Sequence, residues 1–236
     1  MSNHFTLTDD TITTLSGATL YRIQATEDLP HHGVKAGDLG GYIQSADNLQ
    51  DRAWVADNAR VYGDACVFSE ARVAGGAHVS GRALVYGGAL VYGDAHVFGN
   101  AHVYGDAHVA GDARVFGFAK VSGDARVTGN AQVFTNARVR GKAQVSTMRH
   151  LLTIGPIGSE NHTLTATPNN TGGTQITIGC WTGTLEAMMD EVHRRAKHWH
   201  QDPETTTQWI AEYQAAHTLI TTRAQQWANE ANDERR

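Results

Sequence analysis

Four histidines share one position of a repeated sequence unit, which makes them the first candidates for chemistry. His78, His96, His102 and His108 each lie between an alanine and a valine. A neutral imidazole can accept a proton near neutral pH, and it can also ligate a metal ion. General-base catalysis further requires an oriented ring with the substrate proton within reach. Whether these rings meet that requirement depends on the elements that hold them.

The repeated unit is six residues long. Sixteen alanines recur at this interval from Ala53 to Ala143 without insertion or deletion, and a valine follows each of them two residues later. Ala-x-Val has the period of two that is typical of a strand with one buried face. The pairs that follow, such as Gly105-Asp106, suit a turn because glycine accepts a positive φ. A period this short predicts a solenoid, in which each repeat buries its apolar face against its neighbours.

The unit from Ala101 to Asp106, Ala-His-Val-Tyr-Gly-Asp, resembles the repeat of the hexapeptide-repeat proteins. That resemblance implies a left-handed parallel β-helix with three hexads in each coil. Glycine lies two residues after the aliphatic position here, whereas the commonest family pattern has it directly after. This version is similar to a subgroup found in bacterial and prophage-encoded proteins and often labelled as transferases. At roughly 4.8 Å between paired strands, sixteen hexads predict about five coils and a prism about 25 Å long.

The repeat divides the chain into three segments. Residues 1–52 lack the six-residue register and are expected to form an N-terminal β cap over the open end of the helix, which would otherwise expose unpaired strand edges. Residues 53–146 form the β-helix, and residues 147–236 form a C-terminal α+β module. The predicted fold class is therefore mainly β, a left-handed parallel β-helix of about five coils with these two additions.

The C-terminal module is expected to contain short strands followed by two helices. The strands are predicted at 151–154, 162–166 and 175–180. The first helix follows Thr184, a plausible N-cap, and the second begins at Asp202-Pro203, a cap followed by proline at the first helical position. The second helix carries an apolar stripe. Its members are Trp209, Ile210, Tyr213, Leu219 or Ile220, and Trp227.

The family resemblance implies one activity for the histidines. Hexapeptide acyltransferases use a histidine as general base on an acceptor hydroxyl or amine, beside an inter-subunit groove that holds an acylated pantetheine carrier. That role would fall to His78, His96, His102 or His108, with acetyl-CoA as cofactor. In the family an extruded loop helps to enclose the substrate, but the uninterrupted repeat leaves no room for one. A non-catalytic protein without a cofactor is therefore the leading hypothesis, and an acyl-CoA-dependent acyltransferase is the alternative.

Metal binding is the second chemistry open to the histidines, because one branch of the same fold binds metal through three histidines across a subunit boundary. Stacking by eighteen residues places His78 and His96 on one face in adjacent coils. His102 and His108 then lie on the other two faces. One chain does not bring three ligands together in this arrangement, so no metal site is predicted.

Aromatic residues directly after the valines form a second candidate set. Stacking by eighteen places them in two columns, and pleat alternation points the rings away from the core. Two interpretations of such rings are open: they cover the coil corners, or they form a surface for a protein partner or a second subunit. The resemblance suggests a homotrimer. The candidate partner-binding residues are Tyr62, Phe98, Phe116 and Phe134 in one column, and Phe68, Tyr86 and Tyr104 in the other.

Basic residues collect toward the end of the repeat and form a candidate anion-binding set. They could hold an anion, and they could equally contact the C-terminal module. The net charge of −5 argues against a dedicated nucleic-acid binder. The set comprises Arg114, Lys120, Arg126, Arg138, Arg140 and Lys142.

Two cysteines, Cys66 and Cys180, do not suggest a disulfide framework, which favours a reducing compartment. The sequence shows neither a signal peptide nor a long apolar run, so no membrane association is expected. The combined hypothesis is a non-catalytic phage- or prophage-type protein in the cytoplasm of a bacterial host cell. It would self-associate and bind a macromolecular partner, for example a host protein.

Overall fold

The computed structural model describes residues 4–199 and 201–233. These residues form a three-sided parallel β-solenoid with an antiparallel hairpin at its N-terminal end. A small antiparallel sheet and two helices follow the solenoid. The hairpin strands are β1 (Phe5–Thr13) and β2 (Thr19–Ala25), and the chain enters the solenoid through β3 (Leu39–Ile43).

The repeat forms sixteen short strands, one for each hexad. The alanine and the valine of each Ala-x-Val unit point inward and are at most 1% exposed, so methyl groups fill the interior. The strands are β4 (Trp54–Val55), β5 (Arg60–Val61), β6 (Cys66–Val67), β7 (Arg72–Val73), β8 (His78–Val79), β9 (Leu84–Val85), β10 (Leu90–Val91), β11 (His96–Val97), β12 (His102–Tyr104), β13 (His108–Val109), β14 (Arg114–Val115), β15 (Lys120–Ser122), β16 (Arg126–Val127), β17 (Gln132–Val133), β18 (Arg138–Val139) and β19 (Gln144–Val145).

Each short strand from β4 to β16 pairs in parallel with the strand eighteen residues further along the chain. His78 is in register with His96, for example, and the amide of His96 donates to the carbonyl of Ala113 at 2.9 Å. Three hexads therefore complete one coil. Because a two-residue strand has no stability of its own, each one depends on its neighbours above and below.

The solenoid contains about six coils, one more than the hexads alone predict. The additional coil is built from residues that precede the register. Strand β3 pairs in parallel with β5, and Leu49 forms a parallel bridge to Val67. Ile43 and Leu49 fill the inward positions that valine fills elsewhere, with 0% and 2% exposure. The spacing of eighteen is thus kept while the residue types change, which is why a search for Ala-x-Val misses this coil.

The N-terminal hairpin lies against the first coil. Strand β2 pairs with both β1 and β3, so the hairpin extends one face of the solenoid. On another face, the His4 ring lies 2.8 Å from the carbonyl of Ala53 and beside Trp54, which is 1% exposed. His32 contacts the carbonyl of Arg52 in the same way, also at 2.8 Å.

Glycine at the corners is required by both conformation and space. Gly93 has φ +71°, and a Cβ atom there would lie 2.9 Å from the nitrogen of Gly111 in the next coil. Aspartate, serine and threonine adopt this conformation at a few other corners. Asp57, in one of these corners, has φ +56°, and its carboxylate accepts the Gly75 amide at 3.0 Å.

The C-terminal unit is a four-stranded antiparallel sheet covered by two helices. Its central side chains, including Leu164, Ile176, Met188 and Ile220, are fully buried. Thr184 caps the first helix by accepting the Ala187 amide, as predicted. The last strand was not predicted. The elements are β20 (Leu152–Ile157), β21 (His162–Pro168), β22 (Thr174–Ile178), β23 (Trp181–Thr184), α1 (Leu185–Ala196) and α2 (Pro203–Asp233), and the 3-10 helices are Pro30–His32, Ala46–Asn48 and Met148–His150.

The C-terminal unit packs against the last coil. The Arg138 amide donates to Thr165 Oγ1 at 3.0 Å, and Ala143 forms an antiparallel bridge with Asn169. From α2, Trp227 Nε1 donates to the Arg149 carbonyl at 2.8 Å. The last strands of the solenoid are therefore covered rather than left as free edges.

Candidate functional site

The four repeat histidines lie on the three open faces of the solenoid, half-buried between their neighbours. His78 and His96 are adjacent on one face, with ring centroids 4.9 Å apart. The His102 ring contacts Tyr86 edge-on at 6.4 Å, and His108 contacts Tyr92 in the same way at 6.3 Å. The structure therefore brings together only the first pair, as the spacing of eighteen predicts.

Burial lowers the pKa of two of these imidazoles. For His78 the loss of hydration is the largest cause, and the nearby His96 and Arg60 add to it. For His102 burial again comes first, followed by Lys120. Both rings are consequently neutral at pH 7 and able to accept a proton. They lie on flat strands, however, while the clefts at the C-terminal junction are lined by other residues.

A metal site would need several ligands at one point. Within residues 4–199 and 201–233, no three His, Cys, Asp or Glu side chains lie close enough together to hold a metal ion. The closest approach among the repeat histidines is the two-ring contact of His78 with His96.

Six of the seven candidate aromatic residues form two ladders. We call Phe68, Tyr86 and Tyr104 the tyrosine ladder, in which consecutive ring centroids are 4.7 and 5.0 Å apart and nearly parallel. The phenylalanine ladder consists of three other rings, and its spacings are 4.9 and 5.5 Å. Its members are Phe98, Phe116 and Phe134.

Five of the six ladder rings are half-buried, and the sixth is exposed. Phe134 at the end of its ladder is 41% exposed. Tyr62, the seventh candidate, stands apart and contacts His78 edge-on at 6.3 Å. Two further exposed rings lie nearby, Tyr92 at 42% and Phe118 at 63%. Phe118 was missed because it occupies a turn position that Asp or Asn fills in many other hexads.

The six candidate basic residues do not form one surface. Arg114 lies on the face of His96 and Arg126 on the face of His108, whereas Lys120 and Arg138 are in register on the third face. Part of the set contacts the C-terminal unit. The Arg138 guanidinium donates to the Gly179 carbonyl at 2.8 Å.

The other two basic residues lie in the last coil. The amide of Lys142 approaches Gln175 Oε1 at 3.4 Å, and its carbonyl accepts from the Asn170 amide at 3.1 Å. The Nε atom of Arg140 is buried and has no hydrogen-bond partner among the described residues. Packing against the C-terminal unit, the second of the two expectations for this set, thus describes Arg138 and Lys142.

A cleft of about 670 Å³ opens between the last coil, the β21–β22 turn and α2. Ser146, His150 and Glu230 line it, and His150 contacts each of the other two. Ser146 Oγ lies 2.9 Å from His150 Nδ1, and His150 Nε2 lies 3.4 Å from a Glu230 oxygen. No pattern in the sequence indicated this group, because Glu230 comes from α2, far along the chain from the other two.

A second cleft at the junction, of about 340 Å³, contains Lys120 and Arg138 together with Asn136 and His162. The Arg138 guanidinium already donates to the Gly179 carbonyl, as described above, and the His162 ring contacts the Glu160 carboxylate. Of the six predicted anion-binding residues, only Lys120 and Arg138 line this cleft.

Comparison with known proteins supports the solenoid. The family model for the YdcK beta solenoid repeat matches residues 119–135. No curated protein matches the chain. Together with the parallel coils, the match defines the chain as a repeat β-solenoid protein. Among the described residues, no helix combines the length and apolarity needed to cross a membrane.

Proposed function

We propose that the solenoid is a non-catalytic binding surface that self-associates and docks a macromolecular protein partner. The observation that carries this proposal is the pair of aromatic ladders, whose stacked rings present their edges to solvent along two columns of the repeat. Tyrosine and phenylalanine are enriched at protein interfaces, where they bury large areas. A phage- or prophage-type protein acting in the cytoplasm of a bacterial host, with a host protein as the partner, fits this role.

Rigidity makes the ladders suitable for binding. Each ring is held by its stacking partner and by a backbone that is hydrogen-bonded to the coils on both sides. A surface whose side chains are already ordered loses little conformational entropy when it associates. The ladders therefore offer apolar area at a low ordering cost.

We expect the self-associated form to be a trimer. A ring of three subunits needs a heterologous interface, in which one patch of each subunit meets a different patch of the next. The tyrosine ladder and the phenylalanine ladder are two such patches on one chain. We expect the tyrosine ladder of one subunit to pack near the phenylalanine ladder of its neighbour.

Self-association is tested by light scattering coupled to size exclusion. The full chain is expected to elute as a trimer, and the triple variant Phe98→Ser, Phe116→Ser, Phe134→Ser as a monomer with an unchanged β spectrum. Phe118→Ser is the matched control, because Phe118 is more exposed than Phe134 but lies outside both ladders. A monomeric wild-type chain, or a control that dissociates as readily as the triple variant, contradicts the proposal.

Partner binding is tested with the same variants as bait in bacterial lysate. A protein cross-linked to the wild-type chain and to Phe118→Ser, but lost from the triple variant, supports docking on the ladder. A protein retained by all three baits places binding elsewhere, and the absence of any specific capture removes this part of the proposal.

The alternative is an acyltransferase that uses acetyl-CoA as acyl donor and a small hydroxyl or amine as acceptor. One observation favours it: burial keeps His78 and His102 neutral, as a general base must be. Calorimetry with acetyl-CoA is the test. Micromolar binding that is lost in His96→Ala or His102→Ala would replace the binding proposal, whereas no heat counts against catalysis by these faces.

A further inference from the structure

The cleft between the last coil and α2 holds a serine, an imidazole and a carboxylate, and the imidazole contacts the other two groups. We propose that Ser146, His150 and Glu230 form a nucleophilic serine site that cleaves small carboxylic esters. A nucleophile hydrogen-bonded to a base that a third group orients is the arrangement that serine hydrolases use on several unrelated folds. This proposal goes beyond the ladder function and does not depend on it.

The protonation pattern follows from the contacts. The Ser146 amide points at His150 Nδ1 at 3.4 Å, and an amide can only donate. Nδ1 is therefore the unprotonated nitrogen, and the Ser146 hydroxyl, 2.9 Å away, donates to it as well. In the neutral ring the proton then lies on Nε2, which faces the Glu230 carboxylate at 3.4 Å. The ring is consequently in the tautomer that can accept the serine proton.

The three groups are fixed by different elements. Ser146 directly follows β19, and His150 is the last residue of the Met148–His150 3-10 helix. The His150 side chain is only 14% exposed, so its orientation is set by packing. Glu230 comes from α2, which Trp227 ties to the Arg149 carbonyl at 2.8 Å.

The carboxylate is held by a second contact, because Arg149 Nε lies 3.7 Å from its other oxygen. The order of the ring nitrogens is the reverse of that in the chymotrypsin-type triad, where Nε2 faces the serine. Proton transfer from the serine needs an imidazole with one lone pair toward the hydroxyl and one N–H toward the carboxylate. The His150 ring has both in the tautomer assigned above. The 3.4 Å separation of His150 from Glu230 is the longer of the two contacts, as is common before substrate binds.

Donors for a developing oxyanion line the same cleft. Arg126 and Gln144 are in register on the adjacent strands β16 and β19, and both face this cleft. Hydrogen-bond donors aimed at the charge that develops on a carbonyl oxygen are a major source of rate acceleration. Glu186 also lines the cleft, so an ester with a neutral or polar leaving group fits better than an anionic one.

The reaction proceeds in two balanced steps. Ser146 Oγ attacks the ester carbonyl carbon while its proton passes to His150 Nδ1, and the protonated ring returns that proton to the departing alkoxide, which leaves as an alcohol. Water then loses a proton to His150, attacks the acyl-serine and releases the carboxylic acid as Ser146 regains its proton. Glu230 is a positioning residue that stabilises the imidazolium formed in each step.

The test uses the full chain and a fluorophosphonate probe, which reacts with activated serines and releases fluoride. We expect one label per chain, mapped to Ser146 by peptide mass spectrometry and absent from Ser146→Ala. His150→Ala should lower the labelling rate about 100-fold or more, the usual contribution of a general base. Added imidazole should restore part of the rate, which it would not do if His150 were only structural.

Two further variants complete the experiment. Glu230→Gln should slow labelling and move its pH dependence to lower pH, because the imidazolium loses its carboxylate. Ser159→Ala, the same substitution outside the cleft, should label like the wild type. The proposal is wrong if the folded wild-type chain is not labelled at Ser146, or if His150→Ala is labelled as fast as the wild type. In either case the contacts among the three groups only stabilise the structure. The aromatic ladders play no part in this assay, so its failure leaves the binding proposal intact.

Discussion

The solenoid and the C-terminal unit place potentially reactive groups in different ways. On the solenoid, His78 and His96 occupy equivalent positions of adjacent coils, and each lies on a flat face beside residues eighteen positions away. At the C-terminal junction, His150 contacts a serine four residues before it and a glutamate on a distant helix. Repetition distributes similar groups along open faces, whereas a non-repetitive contact gathers different groups into a cleft.

The largest effect is expected from a charge in the shared core of the solenoid. Val103→Asp places a carboxylate at a position that is 0% exposed, amid alanines and valines that cannot pair with it. We expect a loss of about 4 kcal/mol or more in the free energy of unfolding, measured by urea denaturation.

The same substitution of a buried apolar residue by aspartate, placed in the C-terminal unit, tests whether the two regions unfold independently. Ile176→Asp also buries a charge at 0% exposure, but each coil of a solenoid depends mainly on its neighbours. The C-terminal unit should then become protease-sensitive while residues 39–146 remain protected. Equal loss of protection in both regions would show that they fold as one cooperative unit.

A smaller effect is expected at the corners. In Gly93→Ala the new methyl group lies 2.9 Å from the Gly111 nitrogen at a positive φ, so the variant should lose about 1–3 kcal/mol. Ser69→Ala is the matched control, because Ser69 already places a Cβ atom at φ +60°, and it should change stability by less than about 0.5 kcal/mol. Thermal unfolding of the two variants tests this difference, and similar losses in both would contradict the steric argument.

The next prediction concerns the contact between the solenoid and the C-terminal unit. Trp227→Phe keeps the buried ring but removes the donor to the Arg149 carbonyl, which should cost about 1 kcal/mol. Hydrogen exchange should become faster in α2 and at residues 148–150. Trp209→Phe, in a half-buried ring that packs on Trp199, should leave exchange at residues 148–150 unchanged.

The smallest effect is expected from the pH dependence of the N-terminal cap. Burial lowers the pKa of His4 and His32 below the usual 6.5. The unfolded chain therefore binds more protons than the folded one as the pH falls through 6.5, so the cap contributes its full stability above that pH and loses it below. Protection factors at residues 39–55, which correct for the slower intrinsic exchange at low pH, should fall between pH 7 and 5. A double variant with glutamine at both positions should show a weaker dependence.

Much of the solenoid could be predicted because its information is local. The spacing of eighteen places each ring of Phe98, Phe116 and Phe134 above the next, and the structure stacks them. The first coil was missed, since Ile43 and Leu49 fill the core without the repeat residues.

Prediction of the C-terminal unit was less complete. Thr184 and Asp202 indicated where the helices begin, since capping depends on neighbouring residues. The stripe on α2 left Leu219 and Ile220 open, and the structure buries Ile220 while Leu219 is 50% exposed. Which face of a helix is buried depends on the element against which it packs, and the sequence of α2 does not identify that element.

The six-residue period by itself predicted a solenoid, because every coil repeats the contacts of the last. The resemblance to the hexapeptide-repeat proteins supplied the three hexads of each coil. Only the tertiary structure decided that Ser146, His150 and Glu230 share one cleft. Their meeting depends on how α2 packs against the final coil. No period in the chain encodes that packing, since it occurs once and joins residues that are distant in sequence.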